Sequence, residues 1–121
     1  MRFNPKLKKQ VKKFQVYVIL VEGKTSINAF RKLGYEKVYS VHQTSVPLRE
    51  RLQAITGELT KKDKVCILTD FDKRGKQIYT KIKSILEELG VKTDSTLRGI
   101  LLKSGVKHIE EIEKFSEKLE S

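Results

Sequence analysis

One stretch constrains this chain more than any other, the segment 65–75, which reads VCILTDFDKRG. It starts as a short apolar run and continues into two aspartates one residue apart, Asp70 and Asp72. A buried strand that ends in two carboxylates is costly, because like charges repel each other unless something neutralises them. We therefore expect this strand to end at a functional edge of the fold and a helix to follow it.

A second stretch has the same design. Segment 15–26 reads QVYVILVEGKTS, and its apolar run also ends in an acid, Glu22, which Gly23 and Lys24 follow. Uninterrupted apolar strands are typical of parallel sheets that helices cover on both faces. The carboxyl ends of such strands share one edge of the sheet, where ligands bind in open α/β folds. The sequence thus predicts that Glu22 and the two aspartates belong to one site.

The two aspartates suit a divalent metal ion. Mg²⁺ takes oxygen ligands and is commonly held by one or two carboxylates together with phosphate oxygens. We therefore expect Mg²⁺ at Asp70 and Asp72, with Mn²⁺ as a substitute. A simpler alternative needs no metal, because aspartate also serves as a turn residue and as the N-cap of a following helix. The residues alone leave both interpretations open.

The order of apolar patterns predicts an α/β fold. Strands are expected at 16–21, 37–41 and 65–69, and a helical pattern follows each of them. This alternation is typical of a three-layer α/β/α sandwich with a mainly parallel sheet. We expect a four-stranded sheet whose fourth strand lies within 91–96. Strands 1 and 3 carry the acids of one site, so they must be neighbours, and the predicted order is 2-1-3.

The two ends of the chain read as helices. Residues 1–14 predict a basic helix with an apolar stripe, and residues 106–119 predict a final helix. With no linker between them, residues 1–121 are expected to form a single domain whose core is about 15–90. The one cysteine, Cys66, lies in a predicted buried strand and is expected to be core filler.

The charge balance favours a polyanionic partner. The chain carries 26 Lys and Arg residues against 15 Asp and Glu residues, a net charge of +11. Such an excess favours nucleic acid, RNA or DNA, although a solvated charged surface is the alternative. No apolar run approaches the roughly 20 residues of a membrane span, and the start lacks a secretory signal. With one cysteine and no internal disulfide, we expect a cytoplasmic protein and no membrane partner.

These motifs resemble a known family. With Glu22-Gly23 after the first strand and Asp70-x-Asp72-x-x-Gly75 after the third, the chain resembles the Toprim domain, which primases, topoisomerases, recombination mediators and several small nucleases share. The resemblance covers residues 15–90. It implies that Glu22 is a general acid/base or a metal ligand and that Asp70 and Asp72 hold Mg²⁺.

Cations and glycines beside the acids predict phosphate contacts. Lys24, Lys73 and Arg74 follow the acidic strand ends, where phosphate oxygens would lie. Gly23 and Gly75 would let the backbone approach a phosphate, and helix N-termini there would add N–H donors. For Lys73 and Arg74, an ordinary solvated surface is the alternative.

The chain also departs from the family pattern. Small nuclease-like Toprim proteins often carry another acid shortly after the first motif, but Thr25, Ser26 and Ile27 stand here, which argues against a second metal held from that helix. Segment 104–108, SGVKH, resembles a Gly-Val-Glu segment of the rRNA-maturation nucleases, with Lys107 in place of the acid.

Two functions remain open on these residues. One is a small Mg²⁺-dependent nuclease, and the other is a non-catalytic nucleic-acid-binding or scaffold module that keeps the metal site. A P-loop is excluded, because its first glycine would fall at Val18 within the first strand. His42, in the loop after the second strand, is either a substrate contact or polar surface. The oligomeric state, and the choice between RNA and DNA, are left undetermined.

Overall fold

The computed structural model of the protein describes residues 5–112 and residue 114. Within these residues, three strands and five α-helices follow one another, and a 3-10 turn comes last. In chain order they are α1 Pro5–Lys13, β1 Val18–Val21, α2 Thr25–Lys32, β2 Val38–Ser40, α3 Leu48–Thr56, β3 Val65–Leu68, α4 Lys73–Glu88, α5 Thr96–Lys103 and the 3-10 turn Ile109–Glu111.

The sheet has β1 at its centre. Its order is β2-β1-β3 and both pairings are parallel, which confirms the predicted 2-1-3 arrangement. The register pairs Val21 with Ser40 on one side and with Leu68 on the other. The three strands therefore end level with one another, and the residues that follow them reach the same edge of the sheet.

Helices cover both faces of the sheet. Every residue of β1 and β3 is buried, as expected for strands that lie between two helical layers. Alternate side chains point to opposite faces, so Ile19 and Cys66 pack with α1, α2 and α5, whereas Leu20 and Ile67 pack with α3 and α4. Burial raises the pKa of the Cys66 thiol to about 12, which keeps it protonated in the core.

The predicted fourth strand is wrong for the described residues. In its place, Thr93 makes a single parallel bridge to Val65 at the outer edge of β3. The N–H of Asp94 donates to the Val65 carbonyl over 2.8 Å, and the Asp94 carboxylate accepts from the N–H of Thr96 over 2.8 Å. Because that carboxylate contact starts α5, the chain leaves the sheet after one bridge.

The ends of the chain differ in part from the prediction. The predicted apolar stripe is confirmed, since Leu7 and Val11 of α1 and Phe14 just after it are buried. Residues 1–4 of the predicted first helix lie outside the described residues, as do 113 and 115–119 of the last. That last helix does not start at 106, because the chain is still extended at His108 and the 3-10 turn begins after it.

The first strand is shorter than predicted. Val16 is 77% exposed, and the N–H of Tyr17 donates to the Phe14 carbonyl over 2.9 Å. Residues 14–17 therefore form a turn after α1, and β1 begins at Val18. This turn brings α1 back onto the sheet.

Candidate functional site

The strand register places Glu22 beside the loop that follows β3. Because Val21 pairs with Leu68, Glu22 lies level with Thr69, one residue before Asp70. The backbone N–H of Asp70 donates to Oε1 of Glu22 over 3.3 Å. The structure thus brings together the two acidic strand ends that the sequence placed at one edge.

Arg74 forms an ion pair with Glu22. Its Nη2 donates to Oε2 of Glu22 over 2.7 Å, and this hydrogen bond raises the pKa of Arg74. The Arg74 side chain is 68% exposed, whereas that of Glu22 is 20% exposed. Exposed ion pairs contribute little to stability. Arg74 could therefore exchange the carboxylate for a phosphate at a small cost.

Asp72 caps the helix that follows it. Its Oδ1 accepts from the N–H of Gly75 over 2.7 Å at the start of α4. This is the N-cap arrangement that we considered as the alternative to metal binding. It occupies one carboxylate oxygen, so the two interpretations are compatible.

Gly75 packs directly against the end of β3. A Cβ at this position would lie 2.1 Å from the carbonyl oxygen of Asp70. Thr69, which is fully buried, donates from Oγ1 to the Gly75 carbonyl over 2.7 Å. The close approach of two backbone segments therefore requires glycine here. An approach of Gly23 and Gly75 to phosphate stays a prediction, and the Gly75 N–H already serves Asp72.

The segment after α5 packs on the aspartate loop. The N–H of Phe71 donates to the Lys107 carbonyl over 2.8 Å, and the N–H of Ile109 donates to Oδ1 of Asp70 over 2.7 Å. Between them, Nδ1 of His108 lies 3.3 Å from Oδ2 of Asp70. The hydrogen bond with Asp70 raises the pKa of His108.

A buried arginine on α5 also contacts the backbone of this loop. Arg98 on α5 donates to the Thr69 carbonyl over 2.6 Å and to the Asp70 carbonyl over 3.2 Å. Its guanidinium carbon lies 4.4 Å from the ring centre of Phe71 and 4.5 Å from that of Tyr79. Burial lowers the pKa of Arg98, but an arginine stays charged in proteins. The two rings and two carbonyls replace its lost hydration and hold the end of β3.

The donors at this edge fit a divalent cation. Among the residues that the structure describes, Asp70, Asp72 and His108 each offer one ligand atom, and these atoms all lie within 4.8 Å of one another. Carboxylate oxygens suit Mg²⁺, and an imidazole nitrogen suits first-row transition metals. The carboxylates of the loop therefore have the chemistry that the predicted Mg²⁺ or Mn²⁺ requires.

A cleft opens beside the acids. It has a volume of about 550 Å³, within the range of small-ligand sites. Its walls combine the acidic strand ends, the loop after β2 and the first half of α4, and they include Glu22, Gly23, His42, Asp70, Arg74 and Lys81.

A second groove continues from the cleft, since His42 lines both. We call it the β2 groove and define it by Lys24, Arg31, His42 and Arg51. Its volume is about 610 Å³, and no carboxylate is among the described residues that line it. Lys24 is the N-cap residue of α2, and its side chain makes no capping hydrogen bond. Of the other predicted phosphate contacts, Lys73 lies apart, in a shallow depression on α4.

Sequence reasoning missed two residues of this site. His108 lies in the SGVKH segment, which overlaps the start of the predicted final helix and was not assigned to the site. Arg98 is the charged residue within the apolar helix sequence TLRGILL, and a lone charge in such a pattern indicates a buried, partnered group. Both patterns are local in the sequence, and neither shows that the residue contacts the loop after β3.

The sequence model described as Toprim domain matches residues 17–97, which is more than half of the chain. The chain belongs to the Toprim domain family. The matched range includes the Glu22 strand end, the aspartate loop and the start of α5, so it covers most of the site described above. Toprim domains are in general associated with metal-dependent chemistry on nucleic acids.

Several relatives are similar in sequence to this chain. A UPF0292 protein of Methanosarcina barkeri is 29% identical over 98 residues, which cover 79% of this chain and 64% of that protein. The chain thus spans less than two thirds of that relative. A UPF0292 protein of Methanocaldococcus jannaschii is 32% identical over 102 residues, covering 78% of this chain and 73% of that protein.

A solved structure has the same fold. A putative protein from Aquifex aeolicus superposes with a TM-score of 0.72 at 31% sequence identity, over 92% of this chain and 99% of that chain. The Toprim fold of the present protein is therefore supported by sequence and by structure. None of its described helices is both long and apolar enough to cross a membrane.

Proposed function

We propose that this Toprim protein is a small Mg²⁺-dependent nuclease that cleaves phosphodiester bonds in RNA or DNA. The observation that carries the proposal is the meeting of Glu22, Asp70 and Asp72 at one edge of the sheet, beside an open cleft. Phosphoryl transfer depends mainly on positioning and charge neutralisation, and this edge offers acids for a metal and cations for phosphates.

In this proposal the aspartates hold the metal ion. Each uses Oδ1 for a backbone N–H, of Ile109 for Asp70 and of Gly75 for Asp72, so the Oδ2 atoms would hold the metal, although that of Asp70 also contacts Nδ1 of His108. Bound there, Mg²⁺ supplies charge neutralisation and polarises a phosphoryl oxygen. The two backbone hydrogen bonds fix the orientation of the carboxylates before any ligand arrives.

Glu22 would transfer the proton. Its Oε1 is oriented by the N–H of Asp70, and its Oε2 is held by Arg74. When Arg74 turns to a phosphate oxygen of the substrate, Oε2 is released and can accept a proton from the attacking water. The same movement would couple substrate binding to the release of Oε2 from its ion pair.

The non-catalytic binding module remains the second candidate, and two observations favour it. Glu22 is already paired with a cation, and the first turn of α2 carries Thr25, Ser26 and Ile27 in place of another acid. In such a site, Glu22 would stay paired with Arg74 and no second metal would be held. The site could then bind nucleic acid without cleaving it.

A cleavage screen separates these two candidates. Structured RNA, single-stranded DNA and double-stranded DNA are incubated with the protein and Mg²⁺ or Mn²⁺. We expect products only when a metal is present, and Asp70→Asn with Asp72→Asn should abolish both cleavage and calorimetric metal binding. If the wild type cleaves none of these substrates but binds them in a metal-dependent way, the module is correct. Undiminished metal uptake by the double variant would rule out the aspartate site.

The β2 groove would bind the nucleic-acid backbone outside the cleavage site. Replacing Lys24, Arg31 and Arg51 together by alanine should weaken binding and flatten its dependence on salt, because fewer counterions are released. The slope of log K against log salt is negative, and its magnitude should decrease by up to about 2 to 3 units for three lost contacts. Fluorescence anisotropy over a salt series measures this.

A matched control removes the same charge elsewhere. Three exposed lysines lie near the amino end of β3, at the edge of the sheet opposite the cleft. They are Lys61, Lys62 and Lys92. Their triple alanine variant should keep a slope close to that of the wild type. If both triple variants change the slope equally, binding follows net charge and the groove has no special part.

A further inference from the structure

His108 is an exposed histidine whose backbone is fixed from both sides. The carbonyl of Lys107 accepts from the N–H of Phe71, and the N–H of Ile109 donates to Asp70. The N–H of His108 itself donates to Oε1 of Glu111 over 3.1 Å. These three hydrogen bonds hold the backbone of His108 over the aspartate loop, and the ring itself contacts Oδ2 of Asp70 over 3.3 Å.

The two aspartates present equivalent oxygens to this ring. Their Oδ1 atoms accept from backbone N–H groups, and their Oδ2 atoms lie 3.3 Å (Asp70) and 4.0 Å (Asp72) from Nδ1 of His108. Two carboxylate oxygens and one imidazole nitrogen, all within 4.8 Å of one another, therefore offer a divalent cation three ligand atoms at one place.

We propose that His108 is the third protein ligand of this site and that its nitrogen shifts the metal preference from Mg²⁺ toward Mn²⁺. The inference rests on the metal site of the proposed function, but it requires no cleavage of nucleic acid. The ligand set is Oδ2 of Asp70, Oδ2 of Asp72 and Nδ1 of His108.

Ligand chemistry explains the preference. Mg²⁺ takes hard oxygen ligands and keeps several waters, so an imidazole adds little to its binding. Mn²⁺ also suits carboxylates, but as a first-row transition metal it accepts an imidazole nitrogen more readily than Mg²⁺ does. The loop after α5 thus adds a nitrogen ligand to a pair of aspartates that would by themselves suit Mg²⁺.

The chain offers a convenient control, because it has two histidines. His42 is exposed and lines the cleft and the β2 groove, and it is not among the three convergent groups. A histidine signal from bound Mn²⁺ that disappears in His108→Gln and persists in His42→Gln can be assigned to His108.

The experiment uses the whole chain without a histidine tag and with Mn²⁺ or Mg²⁺ as the only added ligand. Electron spin-echo envelope modulation of the Mn²⁺ complex should show coupling to a histidine nitrogen, and labelling histidine with ¹⁵N should change it. In calorimetric competition, His108→Gln should lower the ratio of Mn²⁺ to Mg²⁺ affinity by about 10-fold or more, since even outer-shell changes cost 10–100-fold. His42→Gln should leave the ratio unchanged.

The outcomes separate this inference from the proposed function. Mn²⁺ that binds through the aspartates, without histidine coupling in the wild type and with an unchanged ratio in His108→Gln, overturns the His108 ligand alone. The spectrum of the wild type decides this even if the variant misfolds. A wild-type protein that takes up neither ion overturns the metal site and, with it, both proposals.

Discussion

Replacing Glu22 by glutamine is expected to lower turnover by about 10²–10⁴-fold, the usual contribution of general acid–base catalysis. Glutamine keeps the shape and can still accept from the N–H of Asp70, but it cannot take up a proton. Affinity for nucleic acid should be equal or slightly higher, because a negative charge has been removed beside a polyanion and Arg74 has lost its partner. Single-turnover cleavage and anisotropy measure the two effects separately.

Glu110 provides the matched control. It is exposed and lines the same cleft, so Glu110→Gln removes the same charge without touching the contacts of Glu22. We expect this variant to cleave at close to the wild-type rate. If Glu22→Gln and Glu110→Gln reduce turnover equally, the effect is one of cleft charge and Glu22 has no special role. If Glu22→Gln cleaves normally, the assignment of Glu22 as the proton-transfer group is wrong.

Replacing Gly75 by alanine is expected to destabilise the protein by about 3 kcal/mol or more, at or above the upper end of overpacking effects. The new Cβ would lie 2.1 Å from the Asp70 carbonyl oxygen. This oxygen belongs to the backbone and also accepts a hydrogen bond from Arg98, so it cannot easily move away. Relief would require the first turn of α4 to separate from β3, which would also displace Asp70 and Asp72. Urea unfolding should show a lower midpoint, and calorimetry should show weaker metal binding.

The control is Gly99, in the interior of α5, where a Cβ would meet nothing within 4 Å. Because alanine favours a helix over glycine by up to about 1 kcal/mol, Gly99→Ala should leave stability unchanged or raise it. Opposite signs for the two glycines would show that packing, and not backbone entropy, dominates at Gly75. A Gly75→Ala protein as stable as the wild type would contradict the close approach of α4 to β3.

The sequence was sufficient for the part of the site that lies on the sheet. Two uninterrupted apolar runs predicted parallel, buried strands, and the acids at their ends predicted that strands 1 and 3 are neighbours. The structure confirms the 2-1-3 order and brings Glu22 within hydrogen-bonding distance of the backbone of Asp70. The prediction succeeded because the apolar periodicity, the burial and the ends of a strand can be inferred from the local sequence. Parallel pairing then brings the residues at the carboxyl ends of neighbouring strands close together.

Local patterns were less reliable at the edges of the sheet. Residues 91–96 predicted a strand, but the side chain of Asp94 bonds to the N–H of Thr96 and starts a helix after one bridge. Val16 extended the apolar run of β1, yet it lies in an exposed turn. A side-chain hydrogen bond at Asp94 and a backbone hydrogen bond at Tyr17 outweighed the strand preference of the neighbouring side chains.

By itself the sequence determined the fold class, the strand order and the acidic edge of the sheet, whereas the tertiary structure decided what completes that edge. His108 reaches Asp70 from 38 residues along the chain, and Arg98 reaches Thr69 from 29 residues away. Both contacts depend on how α5 packs beside β3 and on where the chain turns after it. Such contacts depend on the packing of whole elements, and no spacing within the sequence records them.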